Sequence, residues 1–220
     1  WKTNPPKTAW TYQAGKGCSS FAISNGKVLT LGNQDGQDTL WCLDTLNGDL
    51  IWKHSYDEPL AAKYYTGGSS STPTIDGKHV YSVSKSGKLF CLDLDSGNVL
   101  WQKDYVKDFN GRKGGWGWAA SPVVSDDLLF IDPGAKDGAL VALDKKTGDL
   151  KWKAGNDEPG YATPILYEHE GRKSLALFHK KGLVGYSLKR PGDTNFRFSW
   201  RTSYGANASN PHYHNGTFYI

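Results

Sequence analysis

An all-β fold, a β-propeller of four-stranded antiparallel blades, is the class this sequence predicts, and three observations predict it. A ten-residue phrase recurs: Leu43 to Trp52, Leu92 to Trp101 and Leu143 to Trp152, each with an aspartate second, a glycine sixth and a tryptophan last. The tryptophans that close the repeats, Trp1, Trp52, Trp101, Trp152 and Trp200, are separated by 51, 49, 51 and 48 residues. A fixed period in that range marks units that bury their cores only against neighbours. The composition agrees, with 26 glycines, 9 tryptophans, 12 tyrosines and no methionine. Many short strands, glycine turns and one large aromatic per unit describe repeated sheets.

The third unit shows how a blade arises. Ser121-Pro122-Val123-Val124 predicts a first strand and Leu128 to Asp132 a second, with Ser125-Asp126-Asp127 turning between them. Ala139 to Asp144 predicts a third strand and Asp149 to Trp152 a fourth, joined by Lys145-Lys146-Thr147-Gly148. The third strand is apolar at nearly every position, which implies burial on both faces. In the fourth strand Leu50 with Trp52, Val99 with Trp101 and Leu150 with Trp152 fall at period two and are expected on one face. Asp44, Asp93 and Asp144 are expected to bond turn N–H groups, and Gly48, Gly97 and Gly148 to take positive φ. Their fixed place in a turn gives these aspartates a structural role rather than a catalytic one.

Cys42 and Cys91 occupy one position in successive repeats, filled by Ala142 and Gly185 in the next two. The position takes a small side chain, and free cysteine is a small buried hydrophobe. Cys18 stands alone near a first strand, and neither CxxC nor CxxCH occurs. The net charge of +4 is small and no lysine–arginine stripe forms, which excludes nucleic acid as the expected partner. No stretch reaches the ~20 apolar residues needed to cross a bilayer. Residue 1 ends a repeat and Phe218-Tyr219-Ile220 stops in mid-strand. Residues 1–220 are therefore expected to form one partial propeller domain, about four blades of a ring of seven or eight.

The phrase Ala/Leu-x-Asp-x-x-Thr-Gly-x-x-x-Trp, matched by Ala142 to Trp152, resembles the repeat of the PQQ-like (quinoprotein alcohol dehydrogenase-like) β-propellers, which also include bacterial outer-membrane assembly lipoproteins and many secreted propellers. A fourth copy, Leu183 to Trp200, is degenerate, with Ser187 in place of aspartate and extra residues around Pro191-Gly192. The resemblance covers nearly the whole chain and is specific for fold, since the motif residues hold blades together. It implies an exported protein, periplasmic or extracellular. For the quinone-using members it also implies pyrroloquinoline quinone with calcium, an adjacent cysteine pair, a Glu, Asn and Asp set around the metal, and an aspartate base. No two cysteines are adjacent here, and that set does not map residue by residue onto this sequence.

Function is expected where the loops enter the first strands, since binding residues concentrate on loops held by a rigid scaffold. Three of these loops are long, 20, 21 and 21 residues from Trp1 to Phe21, Trp52 to Pro73 and Trp101 to Pro122. The next two, Trp152 to Pro164 and Trp200 to Pro211, span 12 and 11. The long loops carry Trp10 and Tyr12, then Tyr64 and Tyr65, then Arg112, Trp116 and Trp118. Aromatics amid glycines form flat stacking surfaces, so Trp10, Tyr64, Tyr65, Arg112, Trp116, Trp118, Tyr161 and Asn207 are the candidate contacts for a protein, glycan or small ligand. The alternative is that they brace the loops on one another. Residues entering the first strands, among them Ser20, Thr72, Ser121, Thr163 and Asn210, are small or hydroxylated as a crowded axis requires, and no histidine or G-x-S-x-G elbow is placed to activate a serine. His212 and His214, at i and i+2, share a face if extended; without a third ligand in the unit they read as a solvated pair. Three functions follow from these readings: a non-catalytic binding or scaffold propeller of the cell envelope, a quinoprotein dehydrogenase oxidising alcohols or sugars, and an outer-membrane protein assembly factor.

Overall fold

The computed structural model describes residues 4–62, 66–189, 192–199 and 207–220. Trp1, Tyr64, Tyr65 and Trp200 lie outside them. The described chain forms propeller blades, each an antiparallel meander in sequence order. The first comprises β1 (Ala22–Ser24), β2 (Lys27–Gln34), β3 (Gln37–Asp44) and β4 (Leu50–Asp57). The second comprises β5 (Thr74–Asp76), β6 (His79–Val83), β7 (Lys88–Asp93) and β8 (Val99–Asp104). A short helix, α1 (Tyr105–Phe109), follows; Asp104 caps it by accepting from the N–H groups of Val106 and Lys107 at 2.9 and 3.0 Å. The third blade is β9 (Val123–Ser125), β10 (Leu128–Ile131), β11 (Leu140–Asp144) and β12 (Leu150–Ala154). The fourth is β13 (Ile165–His169), β14 (Arg172–His179), β15 (Gly182–Ser187) and β16 (Thr194–Ser199), and β17 (His212–His214) pairs with β18 (Thr217–Tyr219) beyond it.

The core lies in the seams between blades. Leu29, Leu31, Leu40 and Cys42 of the first blade meet Val80, Phe90 and Leu92 of the second. Tyr81, Val83, Leu89 and Cys91 then meet Leu129, Ile131, Val141 and Leu143 of the third. Phe130, Leu140 and Ala142 meet Leu175, Leu177 and Val184 of the fourth. The third strand of each blade faces a neighbour on both sides, which is why its sequence does not alternate. The small-residue position is explained at Gly185, where an added Cβ would lie 2.4 Å from the Phe196 ring.

The repeated phrase builds an inter-blade seat. Asp44 accepts the Leu46 N–H at 2.7 Å, Asp93 the Ser96 N–H at 2.8 Å and Asp144 the Lys146 N–H at 2.9 Å. The turn glycine then presents bare backbone to the preceding blade's tryptophan. A Cβ on Gly97 would sit 2.6 Å from the Trp52 ring, and one on Gly148 2.9 Å from Trp101. The indole N–H groups donate to the carbonyls of Leu94 at 2.9 Å and Lys145 at 3.2 Å. At the degenerate fourth repeat the Trp152 N–H finds no partner among the described residues.

Two expectations change. A β-bulge lies between Cys42 and Leu43, between Cys91 and Leu92 and between Ala142 and Leu143. Trp52 therefore pairs with Cys42 and is buried, while Leu50 is half exposed; the extra residue breaks the period-two relation. Trp10, placed by the sequence reading on the loop face, takes the tryptophan seat of the first blade. It donates to the Thr45 carbonyl at 3.0 Å, and its ring lies 2.6 Å from where a Gly48 Cβ would stand. Residues 10–14 run along the first blade as a neighbouring fourth strand would: Tyr12 packs edge-on to Trp41 at 5.3 Å as His54 packs on Phe90 at 4.8 Å.

Candidate functional site

The turns that carry the motif lie at one end of the strands; the loops that enter the first strands lie at the other, together with the β2–β3, β6–β7 and β14–β15 turns. At this loop end the first strands converge, and their entry residues are hydrogen-bonded in series. Ser20 N–H donates to Thr72 Oγ1 at 3.1 Å, Thr72 N–H to Ser121 Oγ at 2.9 Å, Ser121 N–H to Thr163 Oγ1 at 3.0 Å, and Thr163 N–H to Asn210 Oδ1 at 2.8 Å. The small hydroxylated residues that the sequence assigned to steric need thus stitch five successive blades. Each side-chain oxygen accepts one N–H, so each threonine or serine O–H is left to donate.

An open cavity of about 420 Å³ lies over this series, lined by Cys18, Ser70, Thr72, Ser121, Thr163 and Asn210, with Trp116 and Tyr161 on one side. The Trp116 and Tyr161 rings are 5.2 Å apart and tilted by 53°. Gly114 lets the strap bearing Trp116 approach, since a Cβ there would stand 2.8 Å from the Tyr161 hydroxyl. Tyr161 is held by its N–H, which donates to the Asn207 carbonyl at 2.9 Å, and Asn207 donates its side-chain amide to the His179 carbonyl at 2.7 Å.

Of the eight candidates, the geometry brings Trp116, Tyr161 and Asn207 together. Trp118, two residues from Trp116, is buried at 2% exposure, edge-on to Tyr105 at 5.4 Å, and belongs to the seam of the second and third blades. Arg112 spends its guanidinium on the carbonyls of Gly134 and Asn156 and ties the long loop to the third blade. Trp10 sits at the far end of the strands, and Tyr64 and Tyr65 lie outside the described residues. Sequence reasoning did not place Asp157 and Glu158 at the site. Asp157 accepts both Arg197 Nη atoms at 2.8 and 3.1 Å, and Glu158 accepts from Lys180 at 2.5 Å. Asp57-Glu58-Pro59, five residues after Trp52, recurs as Asp157-Glu158-Pro159 five residues after Trp152, and that repetition was the available signal. Glu58, buried, likewise accepts from Ser86 at 2.6 Å. In both places the glutamate fastens a loop to the neighbouring blade.

Burial pushes the Cys42 thiol to about 11 and the Cys91 thiol to about 12, so both are inert packing groups at neutral pH. The Asp132 carboxyl is pushed well above the usual carboxylate range, also by burial. His212 and His214 do share a face of β17, with ring centroids 6.4 Å apart, and both are exposed. No group of three or more His, Cys, Asp and Glu side chains that could hold a metal ion occurs among the described residues.

A family model described as "Outer membrane protein assembly factor BamB" matches residues 36–192. The chain belongs to this family of PQQ-like repeat propellers. Its membership is consistent with solved structures that share the fold: BamB from Moraxella catarrhalis (22% identity, TM-score 0.56) covers 89% of this chain, which spans 50% of that one. Quinohemoprotein alcohol dehydrogenase from Comamonas testosteroni (17% identity, TM-score 0.61) covers 90%, and this chain spans 40% of it. Subunit 1 of a cytochrome c-linked methanol dehydrogenase of Methylorubrum extorquens is 34% identical over 65 residues, 30% of this chain and 10% of that protein. The chain thus spans about a tenth of its curated relatives and half or less of these structures. The described residues do not fit a pyrroloquinoline quinone–calcium pair: the cavity is lined by hydroxyls, one amide, one thiol and two aromatic rings, with no carboxylate and no second cysteine.

Proposed function

We propose that this PQQ-like repeat propeller is a non-catalytic binding protein of the cell envelope, holding a protein, glycan or small ligand on its loop face. The observation that carries this reading is the cavity itself, where Trp116 and Tyr161 stand beside converging hydroxyl donors. Such a lining offers stacking and hydrogen bonds and no charged acid–base pair, which is the chemistry of holding rather than of proton transfer. Family membership favours an assembly-factor role, in which the occupant is an extended stretch of an outer-membrane polypeptide, and it favours the periplasm as the place. Among the described residues no helix is long and apolar enough to cross a membrane.

The test is a titration of the purified chain with an unfolded outer-membrane β-barrel polypeptide and, separately, with soluble oligosaccharides, repeated on Trp116→Ala and Tyr161→Ala. The reading expects each substitution to weaken the bound probe by about 1–3 kcal/mol, the range of stacking aromatics, with folding intact. Addition of pyrroloquinoline quinone and Ca²⁺, followed by alcohol- or sugar-dependent dye reduction, tests the dehydrogenase alternative; turnover there would overturn the proposal.

A further inference from the structure

The seam between the third and fourth blades contains a histidine in an unusual position. His179 closes β14 and is almost wholly buried, at 2% exposure. Its Nδ1 accepts the Lys181 N–H at 3.3 Å, so the ring's proton belongs on Nε2. Nε2 has no hydrogen-bond partner among the described residues, although Asp157 Oδ1 lies 3.6 Å away. Asp157 is already committed to both Nη atoms of Arg197, a planar bidentate pair. The charged groups that act on the ring are Asp157, on the loop after β12, and Arg197, from β16; Tyr186 of β15 interacts with both of them, Lys181 bonds the ring through its N–H, and Lys180, next to His179 in sequence, pairs with Glu158.

Neutral His179 suits this site and charged His179 does not. A second proton must go on Nδ1, which would turn an acceptor into a donor facing the Lys181 N–H. It would also place a second cation, almost wholly buried, beside a carboxylate already paired with Arg197. Burial, and then Arg197, act to hold the ring neutral, while Asp157 acts the other way.

We infer that His179 is a pH-sensitive latch which holds Tyr161 against Trp116 when neutral and releases it when protonated. The inference rests on the reading of the cavity as a binding site and gives that site its regulation. Three bonds link latch and cavity. Asn207 donates to the His179 carbonyl and accepts from the Tyr161 N–H, and the Lys180 N–H donates to the Glu158 carbonyl at 3.1 Å. Asp157 and Tyr161 stand on one short loop, so a seam that opens at Asp157 frees the loop that carries the aromatic platform. The sign follows from the depressed affinity of His179 for its proton. The unfolded chain binds that proton more readily, so the latch is fully stable above the ordinary histidine pKa of ~6.5 and weakens as pH falls below it.

Amide hydrogen exchange of the full chain, read on the peptide covering residues 155–163 and corrected for intrinsic rates, tests this without any ligand. From about pH 7.5 to about pH 5 the opening equilibrium of that loop should rise severalfold. His179→Gln should abolish the rise. Arg197→Gln, which leaves Asp157 free to pair with the charged ring, should diminish or reverse it. An unchanged loop in the native chain, or the same rise in both variants, would overturn the latch. Loop exchange that rises as expected while neither probe binds at either pH would instead count against the binding site and leave the latch standing.

Discussion

The two ends of the strands obey different rules. At the turn end, three seats repeat almost atom for atom: an indole N–H reaches the carbonyl after the motif aspartate at 3.0, 2.9 and 3.2 Å, and the ring lies on the motif glycine. At the loop end the anchors vary, although a glutamate after Trp52 and another after Trp152 each fasten a loop to the next blade. One crossing uses a capped helix and Arg112 on two carbonyls, another the Asp157–Arg197 pair, and the first Glu58 on Ser86. Repetition is enforced where a side chain of one blade must fit the backbone of the next. Loops meeting solvent carry no such demand, and they diverge. The cavity lies among the divergent elements, with Trp116 and Tyr161 on loops of very different length.

The contrast is broken most directly by exchanging tryptophans between the two ends. Trp52→Ala should cost about 3–5 kcal/mol in urea unfolding, since it empties a buried seam and leaves the Leu94 carbonyl without its donor. Trp116→Ala should cost less than about 1 kcal/mol, because the ring is only partly buried and its N–H is not tied to a neighbouring blade. Equal losses at both sites would mean that the loop wall is as structural as the seats.

Glycines sharpen the same point. Gly97 has φ of 72° and the Trp52 ring against its missing Cβ; Gly36 has φ of 81° and open space. Gly97→Ala combines left-handed strain with a steric clash and should cost about 3 kcal/mol. Gly36→Ala carries the strain alone, about 1 kcal/mol, and the difference between their unfolding midpoints measures the seat. A smaller effect belongs to the axis. Thr72→Val removes the acceptor for the Ser20 N–H at one link of the series and should cost about 1 kcal/mol, read by denaturant midpoint and by faster exchange of that amide.

How much of this was legible in the sequence follows the same division. Asp93, Gly97 and Trp52 announce their geometry because the turn, the positive φ and the buried indole each demand one residue type. The blade order, the small position at Cys42 and Cys91, and the inward hydroxyls were readable for that reason. Trp10 was not, because its place in the repeat is occupied without the surrounding phrase; only its partner, Gly48 on the first blade, reveals it. Trp116 and Trp118 are two residues apart in one loop, yet one faces the cavity and the other the core. That outcome depends on Lys85, whose carbonyl accepts the Trp118 N–H at 3.1 Å from the neighbouring turn, a contact that no local pattern encodes. Arg112 and Asp157 were hidden similarly, since their partners lie 44 and 40 residues away.

The finest distinction between the two ends is electrostatic. Asp93 and Asp144 are held below the ordinary carboxylate pKa chiefly by turn N–H groups, from Ser96 and Lys146 respectively. Glu158 is held down chiefly by Lys180. Each contributes stability that is present above the unfolded pKa of about 4 and is lost as pH falls through the lower folded value. Salt separates them, because mobile ions screen a lysine near solvent but cannot replace a backbone N–H fixed at hydrogen-bond distance. Carboxyl-carbon NMR titrations at low and at ~1 M salt should therefore leave Asp93 and Asp144 depressed while Glu158 returns toward its usual range. If all three moved together, the motif aspartates would be held by general surface charge, and the turn would owe its shape to glycine and tryptophan alone.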